Sequence, residues 1–368
     1  MGCPEKGQSG KLSQNLLSPR QLIEEYSLSC QVSDFITESR IQVREIIAGR
    51  DPRLLLVLGP CSIHDCSAAL DYASHLQKAR ERYGDDLFIV MRIYFEKPRT
   101  TVGWTGLIND PDLNGQCDIN KGLRLSRELL LAMAKLHLPA GTEFLDPVVP
   151  QYLQDLVSWG AIGARTVESQ LHRQLASGLE MPVGFKNSTS GEIQTAIDGI
   201  AAARHSHHYL SINEDGGACV MSTSGNQNCH LILRGGREGP NYSSAQLQQT
   251  FQQLQTANLA PFVMIDCSHG NCNKDHLQQY KVGEQVAAQV AAQEKGIMGV
   301  MLESNLLPGR QQMGAKDSLI YGQSVTDACI SWHDTERLLE KFACASRERR
   351  ARQQGEANAR TETYTNSE

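Results

Sequence analysis

The chain has 368 residues, a formal net charge of −6 and a hydrophobic share of 40%. This length fits one large domain or two ordinary ones, and the hydrophobic share excludes wholesale disorder. The acidic balance argues against nucleic acid and anionic membranes as partners, so any site for anions must be local.

Membrane and secretion signals are not evident in the sequence. No apolar run approaches the roughly 18 residues that a membrane-spanning helix needs, and the N-terminal stretch MGCPEKGQSGK lacks the apolar segment of a signal peptide. The 11 cysteines include no C-x-x-C pair, which suits reduced thiols. We therefore expect a soluble, cytoplasmic protein.

The first 50 residues contain two helical segments, SPRQLIEEYS and SDFITESRIQVREIIAG. Pro19 directly after Ser18 is typical of a capped helix start. These segments precede the regular pattern described next, so we expect residues 1–50 to form an N-terminal extension.

Eight apolar runs follow, and amphipathic stretches separate them. The runs are LLLVLG, LFIVMRIYF, GTEFL, AIGA, PVGFK, HLILRGG, PFVMIDCSH and IMGVMLES. Because they do not alternate with polar residues, they indicate buried parallel strands. Eight strands alternating with helices in this length predict a closed (β/α)₈ TIM barrel over residues 51–345.

Two further segments depart from the barrel pattern. HHYLSI and ACVMSTSG flank NEDGG, and Asp215-Gly216 is a hairpin signal. We expect a β-hairpin at about residues 208–224, inserted before the sixth barrel strand. Residues 346–368 have almost no apolar content, and we expect a disordered tail.

Cationic side chains follow several of the predicted strands. The carboxyl ends of barrel strands hold the active site. Those ends carry Arg92, Lys97, Arg99, Arg165, Lys186 and Arg234. Like charges repel when they are crowded, so a compact ring of cations predicts a polyanionic ligand, since Arg and Lys suit phosphate and carboxylate oxygens.

A second set at the strand ends consists of one thiol, one imidazole and two carboxylates. These are Cys61, His269, Glu303 and Asp327. Mixed sulfur, nitrogen and oxygen donors suit one divalent ion of the Mn, Fe, Co or Zn type. Spacing alone does not select this set, and Cys267 and Cys272 remain rival ligands.

Long motifs in the chain resemble a known family. They are LGPCSIHD, MRIYFEKPRTTVGWTGLINDPD, SWGAIGARTVESQLHRQLASGL, PVGFKN, LRGG, DCSHGN, MLESN and YGQSVTDACISW. Through these motifs the chain is similar to the feedback-regulated class of the 3-deoxy-D-arabino-heptulosonate-7-phosphate (DAHP) synthases. The similarity extends from about Leu16 to Phe342. The resemblance implies a (β/α)₈ barrel that condenses phosphoenolpyruvate with D-erythrose 4-phosphate and water. This aldol-like reaction opens the shikimate pathway to aromatic amino acids.

The resemblance also implies residue roles. It gives Cys61, His269, Glu303 and Asp327 as metal ligands, Arg92, Arg165, Lys186 and Arg234 as phosphoenolpyruvate ligands, and Lys97, Pro98, Arg99 and Thr100 as the loop that binds the phosphate of erythrose 4-phosphate. Lys97 reaches the reacting carbons, and Glu143 positions water, so both join Cys61 and His269 as catalytic residues. A homo-oligomer, dimer or tetramer, is also implied.

The chain departs from the family pattern at three places. RGGREGPNY is one residue longer than the usual motif, at Gly239, and we expect the loop to absorb it. Glu180 stands where many relatives have Ser in an inhibitor pocket, and Lys6-Gly7 stands where some relatives carry acidic residues. An aromatic amino acid inhibitor is therefore implied as a class, while its identity stays open.

Two other functions stay open alongside the synthase. One is the sibling reaction of phosphoenolpyruvate with arabinose 5-phosphate, although KPRTTVGWTGLINDP favours the four-carbon sugar phosphate. The other is a non-catalytic barrel that senses an aromatic amino acid or binds sugar phosphates. Degraded site residues would favour the second, and every residue of the two sets is present.

Overall fold

The structure, a computed structural model, describes residues 14–99, 102–292 and 296–365. Its strands are β1 Leu54–Gly59, β2 Leu87–Arg92, β3 Ala140–Glu143, β4 Trp159–Ile162, β5 Val183–Lys186, β6 His208–Ile212, β7 Ala218–Ser222, β8 Cys229–Leu233, β9 Val263–Asp266 and β10 Ile297–Glu303. Eight of them close into a parallel barrel in the order β1-β10-β9-β8-β5-β4-β3-β2. The predicted barrel is confirmed.

The helices lie before, between and after the strands in the chain. They are α1 Pro19–Glu25, α2 Cys30–Ile47, α3 Cys66–Tyr83, α4 Ile119–Lys135, α5 Pro150–Leu153, α6 Gln170–Gly178, α7 Gln194–Ala203, α8 Ser244–Thr256, α9 His276–Ala291 and α10 Trp332–Thr365. Across the described residues, none of these helices combines the length and the apolar content needed to cross a membrane.

The remaining two strands form the predicted hairpin. β6 and β7 pair antiparallel, with His208 opposite Ser222, and they stand outside the barrel between β5 and β8. Gly216 at the tip adopts a φ of 81°, a left-handed conformation that glycine takes without strain. The hairpin is confirmed in place and in type.

Helix α2 packs against the barrel interior. Its Val43 and Ile46 are buried in one apolar cluster with residues from the strands, among them Leu55, Val57 and Trp159. Because Leu55 lies near the start of β1, this end of α2 covers the amino-terminal end of the barrel. The extension therefore contributes to the barrel core.

Helix α1 begins as its sequence predicts and is tied to the hairpin. The Ser18 hydroxyl accepts from the backbone N–H of Gln21, while the Gln21 side chain accepts from the backbone N–H of Ser18. Arg20 then forms salt bridges of 2.8 Å with Glu214 and 2.7 Å with Asp215 at the hairpin tip. These pairs are exposed, so they add little to stability.

The prediction of a disordered tail is wrong for most of residues 346–368. Helix α10 continues through Thr365. The Arg349 guanidinium donates to the carbonyl oxygens of Ile297 (2.8 Å) and Pro52 (2.9 Å), and Arg350 pairs with the buried Asp86. Low apolar content misled the prediction, because the segment is rich in strong helix formers and its arginines bind the barrel through polar contacts.

We predict that Ile46→Ala lowers the free energy of unfolding by about 2–5 kcal/mol, because it leaves a cavity between α2 and the barrel. Ile46 is 2% exposed, whereas Ile41 on the same helix is 42% exposed. Ile41→Ala is therefore the matched control and should change stability much less. Urea unfolding of both variants measures the difference, and equal losses would show that α2 does not support the core.

We also predict a loss of stability in acid that is traceable to His230. This imidazole is buried, its Nε2 accepts from the Trp159 indole N–H at 3.3 Å, and burial lowers its pKa from 6.5 to about 3. Below pH 6.5 the His230 imidazole therefore binds a proton in the unfolded chain but not in the folded chain. His230 should thus cost stability as the pH falls, by up to about 1.4 kcal/mol per unit.

The test compares urea unfolding on both sides of that pH for His230→Gln and for the exposed His205→Gln. His230→Gln should have the shallower dependence on pH, and the control should keep the wild-type slope. Identical slopes in all three proteins would contradict the assignment.

Candidate active site and metal centre

The first site residue follows β1 in a close-packed turn. A Cβ at Gly59 would lie 2.5 Å from the carbonyl oxygen of Arg92, so only glycine lets the two backbones approach this closely. Gly59 also pairs with Glu303 in the register of β1 and β10. The turn therefore sets Cys61 beside the ends of both neighbouring strands.

Three of the four predicted metal ligands form one group. The Cys61 sulfur and carboxylate oxygens of Glu303 and Asp327 all lie within 4.8 Å of one another. It is the one such group within the described ranges, and it includes neither Cys267 nor Cys272. A thiol with two carboxylates is a donor set that suits a divalent transition metal.

The fourth predicted ligand, His269, lies beside this group. Its Nε2 is 3.5 Å from Oε1 of Glu303, while its Nδ1 is 2.9 Å from Oδ2 of Asp266. Burial lowers the pKa of His269 and favours the neutral imidazole. A proton on Nδ1, facing Asp266, leaves the Nε2 lone pair directed at the group, as a metal ligand requires.

The backbone also orients His269. Its φ is 57°, in the left-handed region that few residues other than glycine adopt. Its carbonyl accepts from the Lys274 N–H at 2.8 Å, and the chain there forms a short 3₁₀ helix from His269 to Cys272. Such conformations persist where surrounding structure holds them, and they concentrate at functional sites.

Lys97 connects the cationic set to the metal-capable group. Its Nζ lies 2.7 Å from the Cys61 sulfur and 3.8 Å from Oδ2 of Asp327. Burial opposes the ammonium form, but Cys61, Glu303 and Asp327 together raise the pKa of Lys97 above its ordinary value. Burial likewise opposes ionised Asp327, yet Lys97 and Lys274 hold its pKa at about 2. Both groups are therefore charged at neutral pH.

The Arg92 side chain is buried at the carboxyl end of the barrel and contacts several neighbouring groups. It is 1% exposed, and its guanidinium donates to Glu303 at 2.9 Å and to the Cys61 carbonyl at 3.2 Å. The same guanidinium lies 3.5 Å from the centre of the Tyr94 ring. These contacts fix the position of Arg92, a member of the predicted ring of cations, and that of the Glu303 carboxylate.

Asp266 is a site residue that the sequence analysis missed. Its side chain is fully buried, and it forms a 3.0 Å salt bridge with Lys186 as well as the contact with His269. Burial opposes the charged form, but His269 and Lys186 hold the pKa of Asp266 well below its usual range. Its only sequence signal was its position three residues before His269 in DCSHGN.

Arg234 is positioned by asparagines, which were also missed. Its backbone N–H donates to the Asn187 side chain at 2.8 Å, and the next N–H, of Gly235, donates to the Asn241 side chain at 2.8 Å. The Asn241 N–H in turn donates to Asn271 at 2.9 Å. These amides connect the loops after β5, β8 and β9.

Two of the remaining predicted cations are exposed, while Arg234 is buried. Burial and the positive charge of Arg165 lower the pKa of Arg234, and Arg165 itself is exposed. Arg99 is exposed and packs against Gly103, and Pro98 is partly buried. Thr100 lies outside the described residues.

Glu143 lies buried at the end of β3, against a glycine of the neighbouring strand end. A Cβ at Gly163 would lie 2.0 Å from its Oε1, so the missing side chain makes room for the carboxylate. The predicted water-positioning group therefore faces the loop that carries Arg165.

Gln279 on α9 supports the end of β10. Its amide donates to the Glu303 carbonyl at 3.0 Å and accepts from the Glu303 N–H at 2.8 Å, and its side chain is fully buried. One side chain thus satisfies both backbone groups of a predicted metal ligand.

Two departures from the family motifs have structural consequences. The Glu180 carboxylate pairs with Arg40 of α2 at 2.7 Å. The lengthened loop closes as a tight turn, in which Gly236 and Gly239 exchange backbone hydrogen bonds of 2.9 and 3.3 Å. No atom lies within 4 Å of a Cβ built on Gly239, so the loop has room for the extra residue.

Fold and site together define a (β/α)₈ barrel protein with a cationic, metal-capable centre at the carboxyl ends of its strands. Residues 30–340 match the model of the DAHP synthetase I family, and the chain belongs to that family.

Individual relatives agree with this assignment. The chain is 51% identical over 330 residues to the Tyr-sensitive phospho-2-dehydro-3-deoxyheptonate aldolase of Escherichia coli, covering 89% of this chain and 92% of the relative. It is 51% identical over 335 residues to the Phe-sensitive enzyme of that organism, covering 91% and 95%. The solved structure of the Francisella tularensis aldolase has a TM-score of 0.90 and 47% identity, and the match covers 93% of this chain and 99% of that one.

We predict that Gln279→Met lowers the free energy of unfolding by about 1–3 kcal/mol or more, because it leaves two buried backbone groups of Glu303 without partners. Gln278, the adjacent and exposed glutamine, gives the matched control Gln278→Met, which should stay within about 0.5 kcal/mol of the wild type. Urea unfolding measures both. Equal values for the two variants would mean that the amide does not support β10.

Proposed function

We propose that this chain catalyses the aldol-like condensation of phosphoenolpyruvate with D-erythrose 4-phosphate and water. The products are 3-deoxy-D-arabino-heptulosonate 7-phosphate and phosphate, in the first step of the shikimate pathway. One observation carries the proposal. The metal-capable group of Cys61, Glu303 and Asp327 is in direct contact with the cations Lys97 and Arg92. Family membership and the names of the relatives support it.

The cations answer a problem that this reaction poses. The two substrates bring two phosphates and one carboxylate into one pocket, where they would repel each other. Arg92, Arg165, Lys186 and Arg234 hold phosphoenolpyruvate, and the loop of Lys97, Pro98, Arg99 and Thr100 holds the phosphate of erythrose 4-phosphate. Fixed cations cancel the repulsion and bring the reacting carbons together, which lowers the barrier through proximity and electrostatic stabilisation.

The residues that would hold the divalent ion are Cys61, His269, Glu303 and Asp327. The mixed donor set and the Nε2 lone pair of His269 fit an ion of the Mn, Fe, Co or Zn type. When bound, the ion supplies a Lewis acid beside the substrates. Burial and the charge of Glu303 raise the pKa of the Cys61 thiol, and the Lys97 ammonium, 2.7 Å from the sulfur, opposes that rise. A bound cation would favour the thiolate that a metal ligand must be.

The protein groups then divide the chemistry between them. Carbon 3 of phosphoenolpyruvate attacks the aldehyde, water adds at carbon 2, and phosphate leaves as the carbon–oxygen bond breaks. In this proposal Lys97 reaches the reacting carbons, and because the neighbouring acids raise its pKa, its ammonium can stabilise the oxyanion that forms from the aldehyde. Glu143 positions the water.

We predict that Cys61→Ala removes both tight Mn²⁺ binding and activity, because the only sulfur donor of the group is lost. Cys66→Ala, in the next helix and outside that group, is the matched control and should keep both. Release of phosphate in the presence of both substrates and Mn²⁺ measures activity, and calorimetry measures binding. Tight binding by Cys61→Ala would exclude Cys61 as a ligand.

The same assay separates the proposed function from its rivals. Erythrose 4-phosphate should support phosphate release far better than arabinose 5-phosphate. A preference for the five-carbon sugar would favour the sibling enzyme. No release with either aldehyde from folded, Mn²⁺-loaded protein would favour a non-catalytic barrel.

We further propose that an aromatic amino acid inhibits the enzyme and that Glu180 alters this inhibition. Relatives are named Tyr-sensitive and Phe-sensitive. Glu180 carries a charge that Arg40 holds in place, where many relatives have Ser. Glu180→Ser should therefore strengthen inhibition by at least one of phenylalanine, tyrosine and tryptophan. Initial rates with each amino acid test this, and unchanged inhibition by all three would contradict it. We also propose a homo-oligomer, dimer or tetramer, which light scattering would measure.

A further inference from the structure

One carboxylate oxygen contacts a residue of the predicted metal site and a residue of the predicted ring of cations. Oδ2 of Asp266 lies 3.0 Å from Nζ of Lys186 and 2.9 Å from Nδ1 of His269. The other oxygen, Oδ1, accepts from the backbone N–H and the hydroxyl of Ser268. Asp266 is fully buried, so no solvent competes for the shared oxygen.

Two positively polarised partners of one buried carboxylate oxygen affect each other. When one partner becomes more positive, it attracts the carboxylate more strongly and draws it away from the other partner. In a buried site such effects are larger than in water. The ion-pair contact with Lys186 and the contact with His269 therefore compete.

The two donors face different ligands. His269 directs its Nε2 toward the group of Cys61, Glu303 and Asp327, whereas Lys186 belongs to the cationic ring. A cation on Nε2 makes the Nδ1 proton more positive and strengthens its attraction to Asp266. This attraction acts directly and through the Ser268 hydroxyl, which lies 2.8 Å from Nδ1 and donates to Oδ1 of Asp266. The ammonium of Lys186 is then held less tightly and is more available to an anion.

We propose that Asp266 is a positioning residue that couples the metal site to the phosphoenolpyruvate site, so that each ligand tightens the binding of the other. Asp266 touches neither ligand and acts through His269 and Lys186. The coupling is reciprocal because two linked binding equilibria must change each other by the same factor. This inference rests on the proposed roles of His269 and Lys186, which are tested separately.

The test measures a coupling factor. The dissociation constant of Mn²⁺ is measured by electron paramagnetic resonance of the free ion, with and without saturating phosphoenolpyruvate. Erythrose 4-phosphate is left out so that no turnover occurs. The ratio of the two constants is the coupling factor, which we expect to be about 5–150 in the wild type.

Asp266→Asn keeps the size of the side chain and removes its charge. We expect it to weaken Mn²⁺ binding by about 10–100-fold, as changes behind a metal-bound histidine do. The coupling factor should also fall well below that of the wild type. A merely structural role would weaken both affinities and leave the ratio unchanged, because direct attraction between ion and substrate persists. Asp198→Asn, which removes an exposed carboxylate on α7, should change neither quantity.

Two results would overturn the inference. One is an unchanged coupling factor in Asp266→Asn. The other is a wild-type factor of one, which decides the question even if the variant fails to fold. These outcomes differ from a failure of the proposed function, in which the wild type would bind neither Mn²⁺ nor phosphoenolpyruvate and the inference would fall with it.

Discussion

The structure depends on the mutual neutralisation of buried charges at the barrel mouth. Arg92, Lys97 and Lys186 are almost fully buried, and so are the carboxylates of Glu303 and Asp266. Each would be costly to bury alone, since an unpaired ion in a protein interior loses its hydration without compensation. Pairing compensates for this loss, and it fixes where each group lies.

This neutralisation also prepares the site for its ligands. Acids beside Lys97 keep it positive, and cations beside Asp327 keep it negative. Such charges are already oriented before a ligand arrives, so little reorganisation is needed when phosphorylated substrates and a divalent ion bind.

The sequence predicts the scaffold well, because the scaffold follows from local patterns. Continuous apolar runs specified all eight barrel strands, and Asp215-Gly216 specified the hairpin. The order of strands around a barrel brings their carboxyl ends together, so a list of residues after each strand predicts the cations and the donors. The structure brings three of those donors, Cys61, Glu303 and Asp327, into one group. Family motifs added the individual roles.

What the sequence could not supply are contacts between side chains from distant segments. Gln279 lies on a helix, and nothing in its surroundings in the sequence indicates that it binds the backbone of Glu303. Asp266 and Lys186 are similarly far apart in the chain and end two strands, β9 and β5, that β8 separates, so only the closed barrel brings their side chains together. The helical tail was missed for a related reason, since its anchoring arginines bind through polar contacts that composition does not reveal.

The most direct test of the account is anomalous diffraction from crystals grown with Mn²⁺ and phosphoenolpyruvate. The account predicts one strong peak within metal–ligand bonding distance of the Cys61 sulfur, Nε2 of His269 and carboxylate oxygens of Glu303 and Asp327. It also predicts phosphoenolpyruvate beside that peak, on Arg92 and Lys186. A peak elsewhere in the protein, or an ion at this place without the sulfur and the imidazole, would contradict it.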